Sequence, residues 1–188
     1  IETYLQKNPL RGTLWLEDNH PEDHEDEPLD VSALTSITGL KIRYMGYSSI
    51  SMATTIRNLD FDSIGPVELE GAEGVTRLRW FNCAGPFPSC PNLKELEFMP
   101  NCEYGDHDLS AFSTLTALTS MSMQGAMLEE EMHLPTSILD LTAQIDWGGI
   151  KTDLLEPLTR LTSLTLEVEG DDPFDLSSLT TLEKLNVK

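Results

Sequence analysis

The chain contains no run of about 18 apolar residues, so no segment reads as a membrane-spanning helix. It is also poor in positive charge: 12 lysines and arginines stand against 32 aspartates and glutamates, a formal net charge of -20. That balance repels phosphate backbones and anionic membrane surfaces, which argues against nucleic acid as a partner. Cations and basic protein surfaces are what it attracts. No glycine-rich loop of the phosphate-cradling kind is present. The four histidines lie within or beside acidic stretches and form no set of nucleophile, base and orienting acid. The sequence is therefore read as non-catalytic, with no cofactor. Sustained 3.6-residue periodicity is missing as well, which weighs against a conventional α/β domain with several leucine-rich helices.

What is present is a chain of 188 residues, 39% hydrophobic, long enough to bury a core as a single domain over 1–188. The phrase L-x-x-L-x-x-L-x-L recurs. Its clearest copies start at Leu115, Leu158 and Leu179, with further copies from Cys90 and Leu34. Shorter echoes are Leu14-Trp15-Leu16, Leu59-Asp60-Phe61, Leu78-Arg79-Trp80 and Leu139-Asp140-Leu141. The terminal pairs then begin at 14, 40, 59, 78, 96, 121, 139, 164 and 185, spaced by 18 to 26 residues. In each pair the apolar residues alternate with an outward one, as in a half-buried strand, and the preceding i, i+3 residues turn the chain toward the same core. One such coil cannot bury its face alone, so stacked coils are required. Between 56 and 80 the phase is open, because Val67-Glu68-Leu69 also reads as a strand.

These phrases, with the lead-ins Asp108-Leu109-Ser110 and Asp175-Leu176-Ser177, resemble the leucine-rich repeat family over nearly the whole chain, in particular the short irregular repeats of bacterial surface and secreted proteins. The resemblance implies an α/β solenoid of about nine coils. It would have a parallel strand ladder on its concave face and mostly irregular convex segments, with 1–12 as a partial repeat or cap. The start at Ile1 suggests a processed or trimmed chain.

In this register the acidic stretches fall just after strands. Glu17 to Glu27, Glu103 to Asp108, Glu129 to Glu131 and Glu167 to Asp175 would share one edge as loop insertions. Solvated insertion is the favoured reading. As weak calcium candidates, Asp106, Asp108, Asp171, Asp172 and Asp175 offer clustered carboxylates, without the glycine-punctuated loop a dedicated site uses. His20 and His24 have zinc-like spacing, but Pro21 lies between them and disfavours the helix such a pair needs.

The outward positions define a candidate binding face: Trp15, Lys41, Arg43, Arg79, Phe81, Glu97, Met99 and Gln124. Trp15 and the neighbouring Phe81 and Met99 are the contact candidates, with an inward lean of Phe81 and Met99 under a distorted coil as the alternative, while the basic residues could simply pair with nearby acids. Trp147, before Gly148-Gly149, is either a stacking group or an anchor. Cys90 occupies a core leucine phase. Cys83 and Cys102 fall at nearly equal phase on adjacent coils, about 4.8 Å apart, within the roughly 4.4–6.8 Å Cα range of a disulfide. A bridge there would imply an oxidising compartment.

The function expected is a protein-binding module, secreted or at the cell surface, with glycan as a second ligand class. A structural subunit of a cell-envelope assembly is one alternative. Another is the recognition part of a longer effector enzyme, since Leu134-Pro135-Thr136-Ser137-Ile138 is similar to repeats of secreted bacterial effectors.

Overall fold

A computed structural model of the chain describes residues 12–17, 28–44, 46–83, 87–99, 109–124, 133–145, 154–168 and 175–188. Twelve strands run in chain order: β1 (Gly12–Glu17), β2 (Pro28–Asp30), β3 (Ile37–Arg43), β4 (Ser49–Ser51), β5 (Asn58–Asp62) and β6 (Glu68–Glu70) come first. They are followed by β7 (Arg77–Phe81), β8 (Glu95–Met99), β9 (Ser120–Met123), β10 (Asp140–Ile145), β11 (Ser163–Val168) and β12 (Lys184–Val187). Nine of them form one sheet, ordered β1-β3-β5-β7-β8-β9-β10-β11-β12, and β2-β4-β6 form a second, small sheet. Every pairing is parallel, so the chain is a solenoid of parallel strands.

The register follows the leucine phrase. Leu14, Leu40, Leu59, Leu78, Leu96, Met121, Leu141, Leu164 and Leu185 stand opposite one another from strand to strand. The expected start at Leu139 is thus corrected by two residues, to Leu141. Ile138, not Leu139, takes the turn position three residues before the first inward residue of the strand, its N–H reaching the Pro135 carbonyl as Leu118 reaches Leu115 and Leu161 reaches Leu158. The open phase between 56 and 80 resolves in favour of both candidates, since Glu68–Glu70 joins the small sheet and Arg77–Phe81 the large one.

Among the described residues there is no α-helix, and helical conformation is limited to short 3-10 segments such as Ala72–Gly74 and Leu109–Thr114, so the expected α/β class gives way to a β solenoid. The phrase itself explains this. Its L-x-x-L spacing is satisfied by successive tight turns closed by i to i−3 bonds, as in Leu179 to Leu176 and Leu182 to Leu179. A few residues of such turns, rich in threonine and serine, fall short of the length a stable helix needs.

Threonine has a particular use here. Thr76, Thr119 and Thr162 enter their strands at one phase, and each hydroxyl donates to a carbonyl of the coil before: Arg57, Lys94 and Leu139 respectively. Those carbonyls also accept two backbone N–H groups each, for example Thr162 and Ser163 on Leu139. The hydroxyl reinforces the step from coil to coil. At the other end of the strands, Tyr44, Ser63 and Asn82 adopt left-handed conformations, with φ of 54°, 55° and 50°. Non-glycine residues pay for this. In return the N–H of each extends the ladder by one bond, to Asp62, Phe81 and Met99.

Behind the nine-stranded sheet lies a continuous apolar column, from Leu14 to Leu179, and no polar or charged residue among those described is buried in it. Its centre is aromatic. Trp80 meets Phe61 at 5.8 Å and Phe87 at 5.9 Å between ring centres, and Phe112 meets Phe87 at 4.9 Å and Phe98 at 5.1 Å. Phe61, Trp80 and Phe98 are the second inward residues of β5, β7 and β8, so the strand alternation stacks large rings on three successive strands of the large sheet.

Candidate binding surface

The solvent face of the nine-stranded sheet is built by the residues between the inward pairs. Trp15, Lys41, Asp60, Arg79, Glu97 and Ser122 stand in one row across six strands, each opposite the next. Thr142, Thr165 and Asn186 continue the row; the two-residue shift in β10 puts Thr142 where Asp140 was expected. Beside it, Glu17, Arg43, Asp62, Phe81 and Met99 form a second row. The seven outward residues expected on strands β1 to β8 are therefore brought onto one face, and Gln124 follows β9 directly as an exposed residue.

In the first half of this face the charges are paired across strands. Lys41 Nζ lies 2.7 Å from Asp60, whose other oxygen accepts from Arg79 at 3.1 Å. Arg79 also faces Glu97 at 3.6 Å, and Arg77 reaches Glu97 at 2.9 Å and Glu95 at 3.6 Å. The hydrogen bond to Glu97 holds the Arg77 guanidinium even more firmly protonated than usual. Arg43 is the looser member. Its Nε makes no hydrogen bond, although it is buried and 3.7 Å from Asp62. Alternation of sign along a row is what brings these partners together, because register neighbours on parallel strands stand about 4.8 Å apart.

The aromatics are woven into this lattice. Trp15 is 58% exposed, with Lys41 Nζ 5.3 Å and Arg43 Cζ 6.0 Å from its ring centre. Phe81 and Met99 are half-buried neighbours in register, and Arg79 lies 3.8 Å over the Phe81 ring. Tyr44 is a further exposed aromatic at 45%. Sequence reasoning missed it, because strand alternation from Ile42 points position 44 inward, and only its left-handed backbone turns it out.

Of the calcium candidates, Asp175 is described, and its carboxylate is already in use. It accepts the Ser177 N–H at 2.8 Å, opening the turn that leads to Leu179, and that bond holds its pKa below the usual carboxylate range. Asp30 does the same for Ser32 at 2.9 Å. Asp106, Asp108, Asp171 and Asp172 lie outside the described residues, as do His20, His24, Trp147 and the acidic stretches 18–27 and 129–131. Among the described residues no group of three or more metal-ligating side chains assembles.

Cys83 and Cys90 are buried free thiols, and desolvation pushes each up to about 12. Cys83 donates to the Phe81 carbonyl at 3.0 Å, while Cys102, its expected partner, lies outside the described residues. Thiols held protonated in this way make poor nucleophiles. No described helix is long and apolar enough to cross a membrane. No protein-family model matches the sequence, and no curated protein matches it.

Proposed function

We propose that the chain is a leucine-rich repeat solenoid of nine coils, one for each strand of the large sheet, acting as a non-catalytic protein-binding module. The repeat reading is supported by the strand spacing and by one residue in particular. Cys83 stands where the leucine-rich phrase carries asparagine or cysteine, in Val75-x-x-Leu78-x-Trp80-x-x-Cys83. Its sulfur donates to the Phe81 carbonyl of the same turn, at 3.0 Å.

The observation that carries the binding reading is the row Trp15, Lys41, Asp60, Arg79, Glu97. It is an ordered, solvent-facing array ending in a largely exposed tryptophan. Tryptophan and arginine are prominent in the energetics of protein interfaces, and Trp15 and Arg43 meet at that end. A protein is the ligand class such a surface fits best, with a glycan second. A secreted or cell-surface setting comes with the resemblance alone.

The test is affinity capture from the native source with this chain as bait, in parallel with Trp15→Ala and Arg43→Ala. A partner held by the intact chain and lost from both variants supports the reading. Recovery of the same proteins by all three baits, or of none by any, would sink it.

A further inference from the structure

The face of the sheet is not uniform. Five ion pairs join Lys41, Asp60, Arg79, Glu97, Arg77 and Glu95 into one unbroken network over β3, β5, β7 and β8, with Arg43 and Asp62 beside it. Trp15, against Lys41 and Arg43, ties β1 to the same network. Beyond β8 the pattern stops. Glu97 stands opposite Ser122, Ser122 opposite Thr142 and Thr142 opposite Thr165, and among the described residues no ion pair links β8 to β9, β9 to β10 or β10 to β11. Only at the last step does Lys188 reach Glu167, at 2.8 Å.

We propose that this network is an ionic clamp confined to the first half of the solenoid, so that ionic strength selectively loosens β3, β5, β7 and β8 while β9, β10 and β11 keep their grip. Three physical points lead there. In a solenoid each coil contacts only its neighbours, so stability is set locally and one half can soften without the other. Charges in a connected network act together, and Asp60 is its hub, holding Lys41 and Arg79 at once. The members are partly exposed, with 23% and 26% of the side-chain surface open for Lys41 and Asp60 and 54% for Arg77, so mobile ions reach them. The second half offers salt nothing comparable: its outward residues are hydroxyls with the carboxylates Asp140 and Glu167 and the amide Gln144 among them, and β9, β10 and β11 carry no lysine or arginine to pair with those acids.

For the proposed binding face, the consequence is that half of it is held in shape by charges that a charged partner or a change in salt can compete for. The clamp rests on that reading only for this consequence. Its test uses the free protein, so failure to find any partner leaves the test intact.

Hydrogen–deuterium exchange, read strand by strand, decides the matter at about 0.01 M and about 1 M sodium chloride, where the screening length falls from roughly 30 Å to roughly 3 Å. Screening also relieves repulsion among the acids of the whole chain, so the readout is the difference between halves. Protection of β5 and β7 amides should fall about threefold or more relative to β10 and β11. In Asp60→Asn, and separately in Glu97→Gln, that difference should shrink, with β5 and β7 less protected already at low salt. An equal response of both halves in the unaltered chain, or a difference that survives both substitutions, overturns the clamp.

Discussion

The guanidinium carbon of Arg79 lies 3.8 Å from the ring centre of Phe81, two residues further along the same strand. Strand alternation puts residues i and i+2 on one face, and here it lets a cation settle on the negative face of a ring while its nitrogens reach Asp60 and Glu97 on either side. A flat fork can do both at once, and an ammonium cannot. Arg79→Lys should therefore lose stability although charge is conserved. A double-mutant cycle with Phe81→Leu should give a coupling of about 0.5–1 kcal/mol. Chemical denaturation of the four chains measures it, and a coupling indistinguishable from zero would mean that the stacking is geometric only.

Asp30 and Asp175 open two turns in the same way, each accepting the N–H of the serine two residues on. Both carboxyls are held below their ordinary range, Asp30 chiefly by the Ser32 hydroxyl and Asp175 chiefly by the Ser177 N–H. A depressed folded-state pKa gives stability that is complete above the unfolded value, about 3.9, and is lost as pH falls through the folded value. Asp175→Asn should accordingly be less stable than the unaltered chain at neutral pH, with the gap closing below about pH 4. Denaturation midpoints of both chains between neutral and acid pH test this. A constant gap would show that the turn needs the shape of the side chain and not its charge.

How much of this was legible in the sequence depends on which signal a residue carried. Apolar residues two apart marked strands such as Leu78 to Trp80 and Leu164 to Leu166, because burial demands an apolar side chain there and the pleat fixes that spacing. Around 139 the same signal misled. Leu139 and Leu141 offer two frames, and Ala143 is too small to announce itself as an inward residue. The frame is set instead by Ile138, whose turn bond to Pro135 matches its counterparts in other coils. Outward positions were legible as positions, since they follow from alternation. Their pairing was not, because nothing in Lys41 or Arg79 alone says that both converge on Asp60. Tyr44 was hidden for a different reason: a left-handed backbone at a bulky residue leaves no mark in composition.

The buried thiols make an alkaline prediction. Cys90 is protonated to about 12 in the folded chain because burial penalises the thiolate, whereas an unfolded thiol ionises near 8.5. Between those values the unfolded state releases a proton that the folded state retains, so stability falls as pH rises. Cys83 behaves alike. Replacing Cys90 by alanine should flatten the alkaline slope of stability, whatever its effect at neutral pH. Denaturant titrations at several pH values from neutral to about 10 read that slope. An unchanged slope would place the alkaline sensitivity elsewhere.

Leu164 and Leu185 occupy the same phase on adjacent strands, opposite one another in register, yet Leu164 is 1% exposed and Leu185 is 52% exposed. Sequence alone treats them as equals. Burial does not: Leu164 lies between β10 and β12, and a carboxylate there has no partner and no water. Leu164→Asp should cost about 4 kcal/mol or more and melt the neighbouring coils with it, since each coil is stabilised by its neighbours. Leu185→Asp should stay within about 0.5 kcal/mol of the unaltered chain, the usual range for a surface change. Thermal unfolding followed by circular dichroism separates the two. If Leu164→Asp is tolerated as well as Leu185→Asp, the register that places Leu164 inside the column is wrong, and the outward row built on that register falls with it.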